Sequence, residues 1–504
     1  MTRAGRREWT GLAVIALPCM LYSMDLTVLN LAVPLLSAEL KPSSAELLWI
    51  VDIYGFLVAG SLITMGTLGD RIGRRKLLLI GAAAFGIASV AAAFATSAAT
   101  LIAARALLGV AAATLAPSTL SLIRNMFLDP AQRTVAISVW IMSYSAGAAI
   151  GPLIGGVLLE HFWWGSVFLI NVPVMLLLLA LGPVLLPEFR DPAAGRMDIA
   201  SAVQSLAAVL AVIYGLKRIA EGDAGWIAGL SIVAGIAVGA MFLRRQARLA
   251  DPLIDLKLFR VPAFSAALAV NVLGFLTCFA AFLFIAQYLQ SVIGLSPLQA
   301  GLWGLPSALA FIGGSMLTPA IVRRFHSAHV IAGGMTVAAA GFVLLAMVDE
   351  VASPLAMLVT GSVVFSLGLT PVVTLTTDIV LTAAPPQRAG AASALSETSS
   401  EFGGALGIAV MGSIVTAIYR GEIAVSLPPD VPAQAAETAR GTIGGAVSVA
   451  GELPGALGAE LLGAARAAFA QAFGTTAAIS ALIAIGVAVL AAALLRRTPA
   501  HART

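Results

Sequence analysis

Fourteen stretches of about twenty or more mostly apolar residues follow one another along this chain, and a bundle of membrane-crossing helices is the fold that accommodates them. Their limits are 11–36, 46–68, 77–97, 99–123, 134–158, 164–186, 198–218, 226–243, 262–289, 298–321, 328–348, 354–380, 389–418 and 471–495. A bilayer interior offers no water to backbone N–H and C=O groups, so each stretch is expected to cross as a helix that satisfies its own backbone. Composition points the same way: 60% of the 504 residues are hydrophobic, 11% are charged, and mean hydropathy is +0.98. A soluble domain is about 45–50% apolar and about 25% charged. So few charges cannot cover a water-soluble surface of this size. Soluble enzymes and nucleic-acid-binding proteins are thereby excluded, despite a pI of 9.3.

The basic excess is a topology signal. With the N-terminus placed inside, the inner segments hold 22 lysines and arginines and the outer loops six, and Arg105 lies within a span. Basic residues concentrate on the cytoplasmic side of membrane proteins, so both termini are expected to be cytoplasmic. Arg3, Arg6 and Arg7 before an apolar run resemble a signal peptide, but the run is too long and contains Asp25, so it reads as a retained first span. Cys19 and Cys278 lie in apolar stretches without a CxxC pattern, and the four histidines map to loops or the tail. Disulfides, metals and organic cofactors are not expected. The outer segment 419–470 is rich in Ala, Gly and Pro. It reads either as a flexible loop or as two short helices, 432–449 and 455–470, lying over the outer mouth.

Several charges fall inside spans, where each costs about 2.5–3.5 kcal/mol on insertion scales and normally faces a cavity or a partner. Asp25 is fourteen residues into the first span, near the membrane middle, and Asp52 and Arg105 share a level nearer the outside. A pairing of Arg105 with Asp52 or Asp25 would lower the cost of both charges. Glu397 and Glu401 are one turn apart on one face of the thirteenth span. Two carboxylates that close are not both ionised cheaply in low dielectric, so a proton and a cation compete for them. Asp378, near the inner end of the twelfth span, reads equally as a further buried acid or as a helix-end residue in an aqueous vestibule. Tyr22, Trp140, Tyr144, Phe275, Phe279 and Phe282 fall mid-span, and aromatic faces beside acids suit planar organic cations, although such residues also serve as core or lipid-facing surface.

The strongest local motif is the loop after the second span, with Gly66, Gly69, Asp70, Arg71, Gly73, Arg74, Arg75 and Lys76. Its glycines allow close helix approach and a tight turn, and Asp70 with its basic neighbours can form inter-helix ion pairs. The fifth span carries Gly147, Gly151, Pro152, Gly155 and Gly156, a pattern that predicts a kinked, close-packed helix. The fourth span reads Leu101 to Ala113 around Arg105, and the first reads Met24 to Pro34 around Asp25.

Residue for residue, the loop motif resembles the signature of the major facilitator superfamily. The Arg105 segment is similar to that family's buried-arginine motif, with Leu108 where glutamine is common. The Gly147–Gly156 segment resembles the antiporter motif of its drug-export branches. The first span is similar to that of the fourteen-span, QacA-like drug:proton antiporters, and the wording looks closest to their mycobacterial pumps. Arginine outnumbers lysine 25 to 4, as a high-GC genome would produce. The resemblance implies two six-helix bundles, 1–186 and 262–504, with two extra helices in 187–261 that the seventh and eighth spans fill. It implies a multi-pass bacterial inner-membrane protein, not an enzyme, that acts without an obligate protein partner and as a monomer. It also implies a seal against leakage at the fifth-span bend, and a family pattern with an amide and a basic residue near Glu397 and Glu401. Acid at both positions departs from that pattern and points to cationic cargo.

No Gly-x-x-x-x-Gly-Lys-Ser/Thr loop is present, so the energy source is expected to be an ion gradient rather than ATP. The expected function is proton-coupled export of lipophilic cations by alternating access. The resemblance implies quaternary ammonium compounds, ethidium, acriflavine and fluoroquinolones as cargo, with small-molecule drugs and the lipid bilayer as the partners. Asp25, Asp52, Arg105, Glu397 and Glu401 are the candidates for proton coupling. The two glutamates and Asp25, with Tyr22, Trp140, Tyr144, Phe275 and Phe279, are the candidates for binding cargo. The alternatives are export of one native metabolite or lipid, or a membrane sensor without transport.

Overall fold

The computed structural model describes residues 4–40, 42, 44–190, 198–220, 225–249, 252–295, 297–348, 353–385 and 388–497, and leaves out some side chains within them, among them those of Asp52 and Pro152. It is all-helical, at 88% helix, with no strand among the described residues. The first eight long helices are α1 (Arg6–Leu40), α2 (Ser44–Ile72), α3 (Arg74–Ala93), α4 (Ala98–Met126), α5 (Pro130–His161), the split pair α6 (Ser166–Leu169) and α7 (Asn171–Leu185), α8 (Ile199–Ala220) and α9 (Trp226–Gln246). After them come α10 (Pro262–Gln287), α11 (Pro297–Val322), α12 (Ser327–Ala346), α13 (Pro354–Ala383), α14 (Ala389–Ser426), the short α15 (Ala433–Gly441) and α16 (Ile443–Ala450), and α17 (Gly455–Leu494). Among the described residues, thirteen helical segments are long and apolar enough to cross a membrane. They fall on the second to fourteenth predicted spans, and the predicted first span lies within the 35-residue α1.

Local chemistry sets many of the ends. Ser97 caps α4 in a reciprocal box with Thr100, Asp129 caps α5 ahead of Pro130, and Gly73, at φ 112°, makes the reversal between α2 and α3. Helix α10 runs on through a wide π turn, Tyr288–Val292.

The outer segment is helical but differs from the two-helix reading at both of its stretches. Residues 455–470 do not form a separate short helix: they are the first turns of α17, a continuous helix of 40 residues. The reason is composition, since 455–470 is Ala- and Leu-rich and has no proline between Pro454 and the span, and its glycines at 455, 458 and 463 do not interrupt the helix. Helix α14 likewise extends eight residues beyond its predicted end. Between them, the stretch expected as one helix, 432–449, is broken at Thr442 into α15 and α16, which pack on each other, with Thr442 capping the second. Tyr419 donates to the Ala439 carbonyl at 2.8 Å, and Arg466 of α17 donates to the Ser291 carbonyl at 3.0 Å, which ties the outer segment to the bundle.

Helix packing repeats across the chain. In the first half α1 lies against α5 and α7, α2 against α4, and α3 against α4 and α7. In the second half α10 lies against α14 and α17, α11 against α13, and α12 against α13 and α17. The cross-contacts repeat too: α2 meets α14, and α11 meets α5. Glycines permit several of these approaches. A Cβ on Gly147 would sit 2.0 Å from the Met20 carbonyl oxygen between α5 and α1, and one on Gly407 would sit 2.1 Å from the Leu276 carbonyl oxygen between α14 and α10. The two pairs are the same contact in each half.

Helices α8 and α9 pack on each other; α9 adds Phe242 to a buried cluster with Leu258, Phe264 and Val380, and α8 lies against α2 and α14. Phe56, Ala59 and Ile213 form a buried cluster there with Ala405 packed against it. On the basic face Arg245 grips Asp198 with two hydrogen bonds of 2.6 and 3.0 Å. Gln246 joins this brace to Ser201 at 2.7 Å and accepts from the Leu253 amide at 2.7 Å. The Leu253 carbonyl in turn accepts from Thr67 of α2 at 3.2 Å.

Candidate translocation site

Four aromatic residues from the first half converge at the level of the span acids. Trp140 and Tyr144 of α5 have ring centroids 4.7 Å apart, Tyr144 and Tyr22 of α1 are 5.4 Å apart, and Tyr22 and Tyr54 of α2 are 6.2 Å apart. Trp140 is fixed by donating from Nε1 to Thr119 of α4 at 3.0 Å, and Cys19 Sγ lies 3.6 Å from the same hydroxyl. Across the interface α14 supplies acids. Tyr22 donates to Glu401 Oε1 at 3.2 Å, a hydrogen bond between the two halves. Glu397, one turn away, stands within electrostatic reach of Cys19, Tyr22 and Tyr144. It makes no hydrogen bond among the described residues.

Behind the aromatic wall lies a closed ion pair. Arg105 Nη1 donates to Asp25 Oδ2 at 2.7 Å, with side chains 1% and 4% exposed. Two ions so buried cost several kcal/mol each to dehydrate, so further partners are required. Arg105 has them: the carbonyls of Ile50 and Val51 accept at 3.0 and 3.3 Å, and its guanidinium stands 4.8 Å from the Tyr54 ring centroid. The two carbonyls place Arg105 at the level of Asp52, as the sequence implied, but the partner the structure shows is Asp25. The side chain of Asp52 lies outside the described residues.

The basic face is sealed between the halves. Arg74 of α3 binds Asp70 of α2 through Nε at 2.8 Å and Nη2 at 2.6 Å. The same carboxylate accepts the amides of Gly390 and Ala391, each at 3.1 Å, at the N-terminus of α14. An anion there is favoured by the positive end of the helix dipole. Gly66 makes the approach possible, because a Cβ would come 2.5 Å from both the Gly390 oxygen and the Ala394 Cβ. Two more bonds cross this face: Arg133 to Asp378 at 2.8 Å, and Arg124 to the Ala384 carbonyl at 2.7 Å. Arg75 instead holds the first half to itself, donating to the carbonyls of Pro183 and Leu186 at 3.1 and 3.0 Å.

Most of the residues singled out from the sequence therefore assemble around one centre or at its seal. Tyr22, Asp25, Arg105, Trp140, Tyr144, Glu397 and Glu401 do the first; Gly66, Asp70 and Arg74 do the second. Gly69 packs on Leu77, and Gly73 leaves room for the Glu188 carboxylate. Phe279, 41% exposed, lies against Gly404, three residues beyond Glu401, and pairs with Phe275 at 5.8 Å. Phe282 stands apart, at 5.2 Å from Phe365 of α13. In the fifth-span motif Gly147 and Gly155 pack tightly on α1, whereas Gly156 has open space around it. Pro152 lies outside the described side chains. Asp378 is not a helix-end residue in open water: it is 1% exposed and paired with Arg133. His161 and His329 sit in the end turns of α5 and α12 rather than in loops.

The sequence reading passed over Tyr54, whose signal was an aromatic two residues beyond a span acid. It also passed over Asn271 of α10, which donates to Ser399 and Ser400 of α14 at 2.9 and 3.1 Å and holds the acid-bearing turn in place. A lone asparagine in an apolar run was that residue's signal. Among the described residues no cluster of His, Cys, Asp and Glu has the arrangement of a metal site.

Repeated six-helix packing, an interface lined by buried acids and aromatics, and a seal on one face define a polytopic membrane transporter. The chain belongs to the Major Facilitator Superfamily, whose family model matches residues 15–408. It is 43% identical over 498 residues to the multidrug efflux pump LfrA of Mycolicibacterium smegmatis, covering 98% of each chain. It is 37% identical to the methyl viologen resistance protein SmvA of Salmonella typhimurium, covering 95% of this chain and 97% of that one. It is 33% identical to the tetracenomycin C resistance and export protein of Streptomyces glaucescens, over 96% and 91% of the two chains. Among solved structures it resembles an inward-facing bacterial homologue of the lysosomal transporter Spinster, with TM-score 0.58 at 18% identity over 98% of both chains, a likeness of fold.

Proposed function

We propose that this protein exports lipophilic organic cations in exchange for protons, with cargo held between the Tyr22–Tyr54–Tyr144–Trp140 wall and the acids of α14. The observation that carries this reading is Glu397: a carboxylate on the interface, facing aromatic rings of the opposite half, with no hydrogen-bonding partner of its own among the described residues. A flat cation satisfies both sides of that gap, because the ring faces attract it and the carboxylate neutralises it. A proton on Glu397 removes the second attraction. Cargo and proton then exclude one another, which is the requirement for exchange.

Asp25 and Arg105 supply the second proton-sensitive element in this scheme. Protonation of Asp25 opens the ion pair, and Arg105 then depends on the Ile50 and Val51 carbonyls and the Tyr54 ring, all on or beside the wall that cargo touches. The names of the relatives support drugs and methyl viologen, itself a flat dication, as the cargo class. Quaternary ammonium compounds, ethidium, acriflavine and fluoroquinolones are the members to try first. The basic face is placed inside, with both termini and fourteen crossings, and the monomer is taken as the working unit. Everted vesicles carrying the protein, loaded with an acid-inside gradient, test the reading through ethidium accumulation. An uncoupler is expected to abolish accumulation, and addition of ethidium is expected to release protons from the lumen. Uptake that persists after collapse of the gradient would sink the exchange mechanism.

A further inference from the structure

A cavity lies at the side of the second half, on helices that do not carry Glu397 and Glu401. It is an apolar groove of about 430 Å³ formed by α11, α12 and α13, with Leu317, Ile321, Phe325, Val337 and Leu367 among its walls. These five side chains are 38–60% exposed, so the groove opens sideways, to where the bilayer must be. Glycines form it. Gly334 and Gly368 bring α12 and α13 into backbone contact as its floor, since a Cβ on Gly334 would fall 2.5 Å from the Gly368 oxygen. Gly333 beside them has nothing within 4 Å of its Cβ position, so the missing side chain is part of the space.

The mouth of the groove is basic. Phe325 and His329 line its end at the sealed face, and Arg323 and Arg324 occupy the turn that immediately precedes them. Both arginines are exposed, and neither makes an ion pair among the described residues. No acidic residue occurs from 302 to 348. Several other basic residues on this face are instead held to an acid or a carbonyl: Arg74 to Asp70, Arg75 to two carbonyls, Arg133 to Asp378 and Arg245 to Asp198.

We propose that the groove is a binding site for an anionic phospholipid of the cytoplasmic leaflet, one acyl chain lying along Gly333 and the phosphate held by Arg323, Arg324 and His329. A long dry slot that ends at uncompensated positive charge, at the depth where headgroups lie, matches such a molecule in both shape and charge. The site also has a mechanical consequence. Gly314 lines the groove, while the next residue, Ser315, donates to the Ser138 carbonyl of α5 at 2.8 Å across the halves. An acyl chain behind α11 therefore buttresses the helix that carries one of the inter-half contacts.

The test uses the full chain in phosphatidylcholine vesicles containing a small fraction of phosphatidylglycerol with a photoreactive diazirine in one acyl chain. Cross-links are mapped by peptide mass spectrometry, with diazirine phosphatidylcholine as the comparison. Cross-links from phosphatidylglycerol are expected to concentrate on Leu317, Ile321, Val337 and Leu367. Gly333→Leu, which fills open space, is expected to reduce them several-fold while leaving cross-links on α9 unchanged. Arg323→Gln with Arg324→Gln is expected to lower the preference for phosphatidylglycerol by roughly thirtyfold, the value of two arginines near a charged surface. Equal labelling by the two lipids, or labelling that neither variant alters, overturns the proposal. Because the arginine pair is exposed, that variant stays informative even where Gly333→Leu fails to fold.

Discussion

The ion pair between Asp25 and Arg105 offers a test that separates architecture from proton handling. Removing one member of a buried pair leaves a charge without compensation, at a cost of about 3–5 kcal/mol. The two members are not equivalent here. Once Asp25→Asn removes the carboxylate, Arg105 keeps two backbone carbonyls at 3.0 and 3.3 Å and the Tyr54 face at 4.8 Å, so the lower figure is expected. When Arg105→Gln removes the guanidinium, Asp25 is left 6% exposed without its cation, and the cost is expected near about 5 kcal/mol. The double variant has neither charge and leaves two neutral amides in place of the pair. Coupling between the sites is then expected to return about 2–3 kcal/mol of the summed losses.

Thermal unfolding in detergent ranks the four proteins for stability, and gradient-driven ethidium transport in vesicles ranks them for function. A pair that only holds α1 to α4 predicts that the double variant recovers both together. A pair that handles protons predicts recovery of the melting temperature while transport stays lost, because no group at that position can take up a proton. Recovery of transport along with stability would refute the proton-handling role. Full transport by Asp25→Asn alone would do so more simply.

Glu401→Gln keeps an oxygen that accepts from Tyr22, so the protein is expected to fold normally; with Glu397→Gln it is expected to lose at least about tenfold in transport of cations, read as ethidium efflux, while neutral cargo is spared. Gly66→Val puts methyl groups where the Gly390 carbonyl and Ala394 already are, so closure of the basic face is expected to fail. Greater labelling of a cysteine introduced at Ala394 by a membrane-impermeant thiol reagent on the basic side would report this, and unchanged labelling would count against the seal. Asp198, outside the spans, is held well below the usual carboxylate range by its hydrogen bonds to Arg245 and then Ser201. A depressed value means the α8–α9 brace is intact above the unfolded value of about 3.9 and is lost as pH falls through the folded one. Amide protection at 198–201 and 245–249, taken relative to the intrinsic exchange rate at each pH, is therefore expected to be flat from pH 8 to 5 and to fall only in stronger acid or in Asp198→Asn.

How much of this was legible beforehand differed by kind of feature. Span positions were readable because hydrophobicity over twenty residues is a sum, and single residues hardly change it. Helix ends were not: α14 and α17 overrun their predicted limits through stretches that carry charges, Arg420 and Glu422 in one and Glu460 and Arg466 in the other, because charged residues of good helix propensity continue a helix where apolar character fades. Depth along a helix was also readable at 1.5 Å per residue, which put Arg105 level with Asp52. Rotation about the helix axis was not, and rotation decides which acid an arginine meets. Asp25 reaches Arg105 because α1 and α4 are in contact, a fact of tertiary packing that no local spacing encodes. The same limit applies to aromatics: Phe279 and Phe282 are three residues apart on α10, yet the first lies on α14 beside the acids and the second on α13. Gly66 was recognised as a place for close approach, but its partner, 324 residues further along at Gly390, could only come from the fold.

The acids inside the spans also fall into an order that explains where a mobile cation can act. Asp70 is committed twice over, to Arg74 and to the amides that begin α14, so a passing charge has little to offer it. Asp25 and Asp378 each face an arginine fixed at 2.7 and 2.8 Å, and a cargo cation would have to displace a covalently tethered one. Glu401 has a neutral hydroxyl at 3.2 Å, a partner that a full positive charge outcompetes, since charge-assisted contacts are about twice as strong as neutral ones. Glu397 has no hydrogen-bond donor to displace among the described residues. In the proposed exchange, cation binding is therefore assigned to the two acids of one half whose neighbours across the interface are aromatic, and the committed acids are assigned to protons and to the movement of the helices that carry their partners.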